Sequence, residues 1–298
     1  QQPLSSNWQS NGSHNSFVRI NAGFTSASSN FTNQFAKSLL LDDQLNKDVL
    51  NTMLSNLDMQ NNRLGGDYEI GLEAKWNPKK SAHSILFKMA DVAHAHGSVP
   101  TTAIQLGFMG NAQFAGDTVD FSGMGFSAWR YQQIGIGWNY KHELSWEVYA
   151  MASYINGEQF AQAQVDRAWL YTSVLGDTLS TGLKGQYIQS DTARAGFAVP
   201  NGTGAALDFG FSTQFEGESS LWNFKVDVHH LGLVQWSPAS LRVNADTNWE
   251  WTGVYINDIE QANTQFSDGR LEDSLRDGVN GNFSKGVSNQ WLPGWLSA

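Results

Sequence analysis

Cysteine is absent from this 298-residue chain, which removes disulfides and thiolate metal sites alike. Long apolar runs are absent too. No stretch approaches the roughly 18 consecutive apolar residues that a membrane-crossing helix requires, so insertion as a helix is excluded. Positive charge is scarce: 18 Lys and Arg stand against 28 Asp and Glu, a net charge of -10. Those basic residues form no patch, and nucleic acid is therefore not an expected partner. Enzyme signatures are missing as well, with no Gly-x-Ser-x-Gly elbow, no His-Glu-x-x-His helix and no phosphate loop. Glu69 and Glu73 share one face of a strand at a spacing of about 13 Å, too long for a glycosidase pair. The expectation is a protein without catalytic residues and without a cofactor.

What the chain does have is alternation. From Asp67 to Trp76, the side chains of Tyr68, Ile70, Leu72, Ala74 and Trp76 interleave one for one with Asp67, Glu69, Gly71, Glu73 and Lys75. Successive side chains of a strand point to opposite faces, so one face here is apolar with a ring at each end and the other is charged. The pattern recurs in Ile134, Ile136, Trp138 and Tyr140, and in Trp146, Val148, Ala150, Ala152 and Tyr154. A fourth case sets Ala205, Leu207, Phe209, Phe211, Thr213 and Phe215 against Ala206, Asp208, Gly210, Ser212 and Gln214. A soluble sandwich strand also alternates, but its core has no reason to end its apolar stripe in Tyr or Trp. The expected fold is an all-β, antiparallel up-and-down transmembrane β-barrel with helical loop insertions. Ile70, Leu72, Ile136 and Val148 are expected to face lipid.

Turn chemistry divides the chain into about ten strands at 17–24, 67–76, 83–93, 122–140, 144–155, 164–175, 180–189, 205–215, 222–231 and 248–256, all in one domain spanning 1–298. Short turns at 77–80, 141–143 and 216–220 suit the periplasmic side, and longer connections at 25–66, 94–121, 156–163 and 190–204 are expected to face outward. Leu41, Leu45, Val49, Met53 and Leu57, with Leu50 and Leu54 beside them, predict an amphipathic helix within the 25–66 connection. That helix reads either as a plug in the barrel mouth or as a loop helix over strand edges. Residues 257–290 read as a polar, helical insertion with Ile259, Leu271, Leu275 and Val279 spaced among charges. A start at Gln1 suits a cleaved signal peptide, and the end at Ala298 suggests missing C-terminal strands, up to 14 in a complete barrel.

The stretch from Gly110 to Gly123 (Gly-Asn-Ala-Gln-Phe-Ala-Gly-Asp-Thr-Val-Asp-Phe-Ser-Gly), followed by Ile134-Gly135-Ile136-Gly137, resembles an uncharacterised outer-membrane family of Bacteroidota. Asn201 to Gly210 and Leu231 to Trp236 match in the same way, and the resemblance covers roughly residues 65–260. It implies a barrel similar in style to fatty-acid-channel-like proteins and to the accessory barrels of type IX secretion and gliding machinery. Members tend to be longer and to open on an Asn-Pro-Ala-like stretch, which Asn7-Trp8-Gln9-Ser10 does not show. The family carries no catalytic residues to transfer.

The candidate binding residues are those on the non-lipid parity: Asp67, Glu69, Glu73, Lys75, Asp208, Lys225, Asp227 and His229. They would either tune an aqueous lumen or pair across it and fill it. His94-Ala95-His96 and His229-His230 are the only paired histidines. An i, i+2 pair on a strand could give two metal ligands, but sequence places no further carboxylate, so they are expected to be loop and lumen histidines and no metal is expected. The functional expectation is an accessory or scaffold subunit of an envelope assembly in the outer membrane of a Gram-negative bacterium, with lipid and other envelope proteins as partners. A channel for hydrophobic or small polar substrates is the alternative, and a soluble exported β-protein the second.

Overall fold

The computed structural model describes residues 16–32, 34, 47–58, 61–78, 81–142, 146–194, 196–216, 221–252 and 281–297. The alternating segments become strands β1 (Phe17–Ser28), β2 (Asn62–Trp76), β3 (His83–Val99), β4 (Thr118–Asp120), β5 (Gly125–Lys141), β6 (Trp146–Thr172), β7 (Leu179–Gln189), β8 (Gly202–Glu216), β9 (Leu221–Trp236), β10 (Leu241–Trp251), β11 (Gly281–Lys285), β12 (Ser288–Trp291) and β13 (Trp295–Ser297). All belong to one sheet, and every strand ladder is antiparallel. Helix α1 is Lys47–Asn56 and α2 is Thr101–Met109.

From β1 the sheet meanders through β2, β3 and β5 to β6 and there forks. The first half of β6, Trp146 to Gly157, pairs β8, whereas its second half, Ala161 to Thr172, pairs β7 along the same edge. One branch continues from β8 to β9, whose far edge takes β12 and β13. The other continues from β7 to β10 and β11. Among the described residues β1 pairs only β2, so the sheet does not close on itself.

Several expected boundaries shift. Residues 156–163, expected as an outward loop between two strands, lie inside the continuous 27-residue β6. Asn156 and Gly157 resemble turn residues, but the ladder absorbs them through a bulge in which β5 steps from Arg130 to Tyr131 while β6 spends Glu158 as an extra residue. The 25–66, 94–121 and 190–204 connections are shortened by β1, β2, β3 and β8, and 94–121 carries α2 and β4. Of the helix expected over 41–57, residues 47–56 are helical and 41–46 lie outside the described residues. Most of 257–290 also lies outside them, and its last part is strand, as β11 and β12. Met53 of α1 is fully buried with Ile104 of α2, beside Phe31, Leu50, Leu57 and Val99. α1 therefore packs against α2 beside Val99 at the end of β3.

Burial is inverted relative to a soluble sheet. Ile20 on β1, Ile70 on β2, Phe87 on β3, Ile136 on β5, Phe209 on β8 and Leu231 on β9 are exposed, while Glu73, Lys75, Lys88, Gln133, Glu147 and Asp208 on the same strands or their neighbours are buried. Leu72 and Val148, on the same face as Ile70 and Ile136, are half-buried. On the buried side an aromatic cluster holds Trp129, Phe160 and Trp236, with ring centroids 4.5 to 5.7 Å apart. Trp236 fits because Gly157 and Gly202 oppose each other across β6 and β8, and a Cβ at either would lie 2.8 Å from its ring. Gly157→Ala should lower the unfolding midpoint, with overpacking costing about 1–3 kcal/mol. Gly107→Ala, on α2 with open space around it, should not lower it, because alanine favours the helix. Thermal unfolding of the two variants beside the parent checks this.

Candidate functional site: the buried polar face

Each candidate residue named from the sequence stands on the concave, polar face. Glu73, Lys75, Asp208, Asp227 and His229 are buried, and Asp67, Glu69 and Lys225 half-buried. The structure gathers them into three tiers along the strands. In the first, Arg19 on β1 pairs Glu73 on β2, and Lys75 Nζ lies 3.1 Å from Glu147 Oε1 on β6. Asn139 Nδ2 donates to the same Glu147 oxygen at 2.8 Å. Since β3 and β5 lie between β2 and β6 in the sheet, a Lys75–Glu147 contact requires the sheet to curl with its polar face inward.

In the second tier Lys88 Nζ on β3 sits 2.9 Å from Glu69 Oε1 on β2. Gln133 Nε2 on β5 donates to Ser153 Oγ at 2.8 Å and to Asp208 Oδ2 at 3.2 Å. Lys225 lies 2.8 Å from Asp227, and His229 stacks on Trp295 of β13 with ring centroids 4.0 Å apart. The backbone amide of His230 donates to Asp208 Oδ1 at 2.6 Å. His229 and His230 are both buried because β9 bulges there, with Leu207 opposite Leu231 and Phe209 opposite Val228. His230 takes a φ of 56°, in the left-handed region, to make that bulge.

The third tier holds the remaining histidines. Asp67 is directly cross-strand from His94, whose Nδ1 donates to Asp67 Oδ1 at 2.6 Å. His96 Nε2 donates to the same oxygen at 2.9 Å. The other ring nitrogen of His94 lies 3.2 Å from the Tyr131 hydroxyl, which lies 3.2 Å from His230 Nδ1. This relay joins β3 and β5, which are neighbours, to β9, which pairs neither of them, so the curl persists at this level. The space left between the second and third tiers is a cavity of about 20 Å³, lined in part by Glu69, Lys88 and His230, enough for one water. A larger cavity of about 630 Å³ opens above it, lined in part by Arg63, Gly65, His96, Ser127 and Gln164.

Lys88, His94, Tyr131, Gln133, Glu147 and His230 were missing from the candidates. Lys88 carried a usable signal, since it alternates with Phe87 and Met89 on β3; His230 carried none, because adjacent residues on a regular strand face opposite ways. A second polar group lies on the convex face. Tyr68 donates to Asp91 at 2.5 Å, Gln132 Nε2 donates to Asp91 at 2.9 Å and to Glu158 at 2.7 Å, and Arg130 lies 3.2 Å from Glu158. Asp91, Gln132 and Asn156 are register partners, forming a polar row just beyond the exposed Met89, Ile134 and Tyr154.

Among the described residues, Asp67, His94 and His96 are the one group whose donor atoms could share a metal ion, all lying within 4.8 Å of one another. Residues 14–296 match the profile of a family of unknown function, DUF5723, and the chain belongs to that family. No curated protein and no solved structure matches the chain.

Proposed function

We propose that this member of a family of unknown function is a non-catalytic outer-membrane β-barrel of a Gram-negative bacterium, serving as an accessory or scaffold subunit of an envelope assembly such as a secretion, gliding or membrane-protein insertion complex. The observation that carries the reading is the inverted burial, with charges paired on the concave face and Ile20, Ile70, Phe87, Ile136 and Leu231 exposed on the convex one. Lipid is the solvent in which that arrangement is stable. The height agrees. From Trp146 to the polar Asn156, β6 runs roughly 33 Å, which at a barrel tilt becomes about 25 Å, the usual outer apolar band.

Two features favour scaffold over pore. The tiers are joined side chain to side chain across non-neighbouring strands, leaving a cavity of about 20 Å³ where a channel would need a continuous path. The branch formed by the end of β6 with β7 and β10 carries Gln164, Lys184, Gln186, Asn244, Asp246 and Glu250 beyond the apolar band, a polar surface suited to a partner. The test is planar-bilayer conductance of the purified protein beside a pull-down from native membranes. The expected result is no steady conductance with envelope proteins co-purifying; stable open-channel conductance without a partner would replace this reading by the channel, and recovery without detergent by a soluble exported β-protein.

A further inference from the structure

We infer that Asp67, His94 and His96 form a binding site for one divalent transition-metal ion of the zinc class, with an open coordination position toward the cavity above. The inference goes beyond the proposed scaffold role and does not depend on it. The sequence offered two histidines on one strand face and no carboxylate; the register supplies it by placing Asp67 opposite His94. Asp67 Oδ1, His94 Nδ1 and His96 Nε2 then converge from two strands. Two imidazoles and one carboxylate are an ordinary three-residue set for zinc, with solvent or ligand as the fourth donor.

Three further observations fit an ion better than a mere hydrogen-bonded cluster. First, Gly65 stands opposite His96, and a Cβ there would collide with His96 Nδ1, so the ring can lie flat over the neighbouring strand and reach Asp67 only because residue 65 is glycine. Second, His94 has an outer partner: when its Nδ1 is bound to metal, its Nε2–H donates to the Tyr131 hydroxyl 3.2 Å away, which in turn donates to His230 Nδ1. Such an outer hydrogen bond fixes the tautomer of a ligating histidine. Third, His94 is buried while His96 is half-exposed beside the cavity of about 630 Å³, which supplies an entry path. The present 2.6 and 2.9 Å separations are those of hydrogen bonds. At zinc–ligand lengths of about 2.0–2.1 Å the donor atoms stand further apart, so Asp67, whose side chain is partly exposed, moves back to admit the ion.

The experiment uses the full chain in detergent, stripped with a chelator and titrated with zinc chloride by calorimetry, then with cobalt(II) by visible absorption. One ion per chain is expected, with cobalt bands of a four-coordinate nitrogen and oxygen site. His96→Ala and Asp67→Asn should each weaken binding more than tenfold, and Tyr131→Phe by about 10–100-fold through the outer hydrogen bond. His83→Gln, which removes an exposed histidine at the other end of β3, should leave the affinity unchanged. His96 is half-exposed, so its variant is expected to fold, and matching circular dichroism without metal verifies that. No saturable binding by the parent, or an affinity that His96→Ala leaves unaltered, overturns the assignment.

Discussion

Ile136→Arg is expected to abolish most assembly into bilayers. The side chain is 66% exposed on the convex face, in a register row with Phe87, Ala152 and Leu207, midway between the aromatic end at Trp146 and the polar row at Gln132. An arginine at that depth in lipid costs about 2–4 kcal/mol, falling toward zero near the interfaces. Leu175→Arg is the matched control: Leu175 is 85% exposed but sits in the turn between β6 and β7, outside the band. The measurement is the folded fraction in vesicles, read by heat-dependent gel mobility. Equal assembly of both variants removes lipid as the solvent of the convex face, and the proposed location with it.

Lys75→Met should be the most destabilising change on the concave face. Lys75 and Glu147 are almost wholly buried, and their contact bridges strands separated by two others. Removing the cation strands a buried carboxylate, which typically costs about 3–5 kcal/mol. Adding Glu147→Gln should recover most of the loss, because the neutral amide can still accept from Asn139 while no uncompensated charge remains. Chemical unfolding of the two single variants and the double variant closes the cycle. If Lys75→Met alone is silent, the curl that brings β2 to β6 is not present in the folded protein.

Alternation along each strand was enough to place Asp67, Glu69, Glu73, Lys75, Asp208, Lys225, Asp227 and His229 on one face, because side-chain direction in a strand is a local property with a period of two. Pairing was not legible. That Lys75 meets Glu147, or that Tyr131 meets His230, depends on how four successive strands of the sheet curl, which no window of sequence contains. The same limit hid the Asp67 partner of His94, whose cross-strand register is set by the whole β2–β3 ladder. Irregularities were the other blind spot. The bulge at Glu158 let β6 run through residues that resemble a loop, and the bulge at His229 and His230 turned two adjacent residues to one side. Helix α1 was visible in part because its apolar positions repeat every three or four residues, but its packing against α2 was not.

The fork at β6 has a mechanical consequence. Its 27 residues form one continuous strand of roughly 90 Å along the chain, in which three residues, Glu158 to Phe160, bulged against β5, join the half that pairs β8 to the half that pairs β7. A load applied near Thr172 is carried along a single backbone to Trp146, and the ladders with β5, β7 and β8 resist it in shear, many hydrogen bonds acting together. The branch is therefore joined to the rest of the sheet by a shared strand and its ladders and not by a tether: a force on it reaches the strand that also anchors Glu147, Met151 and Ile155 against the interior.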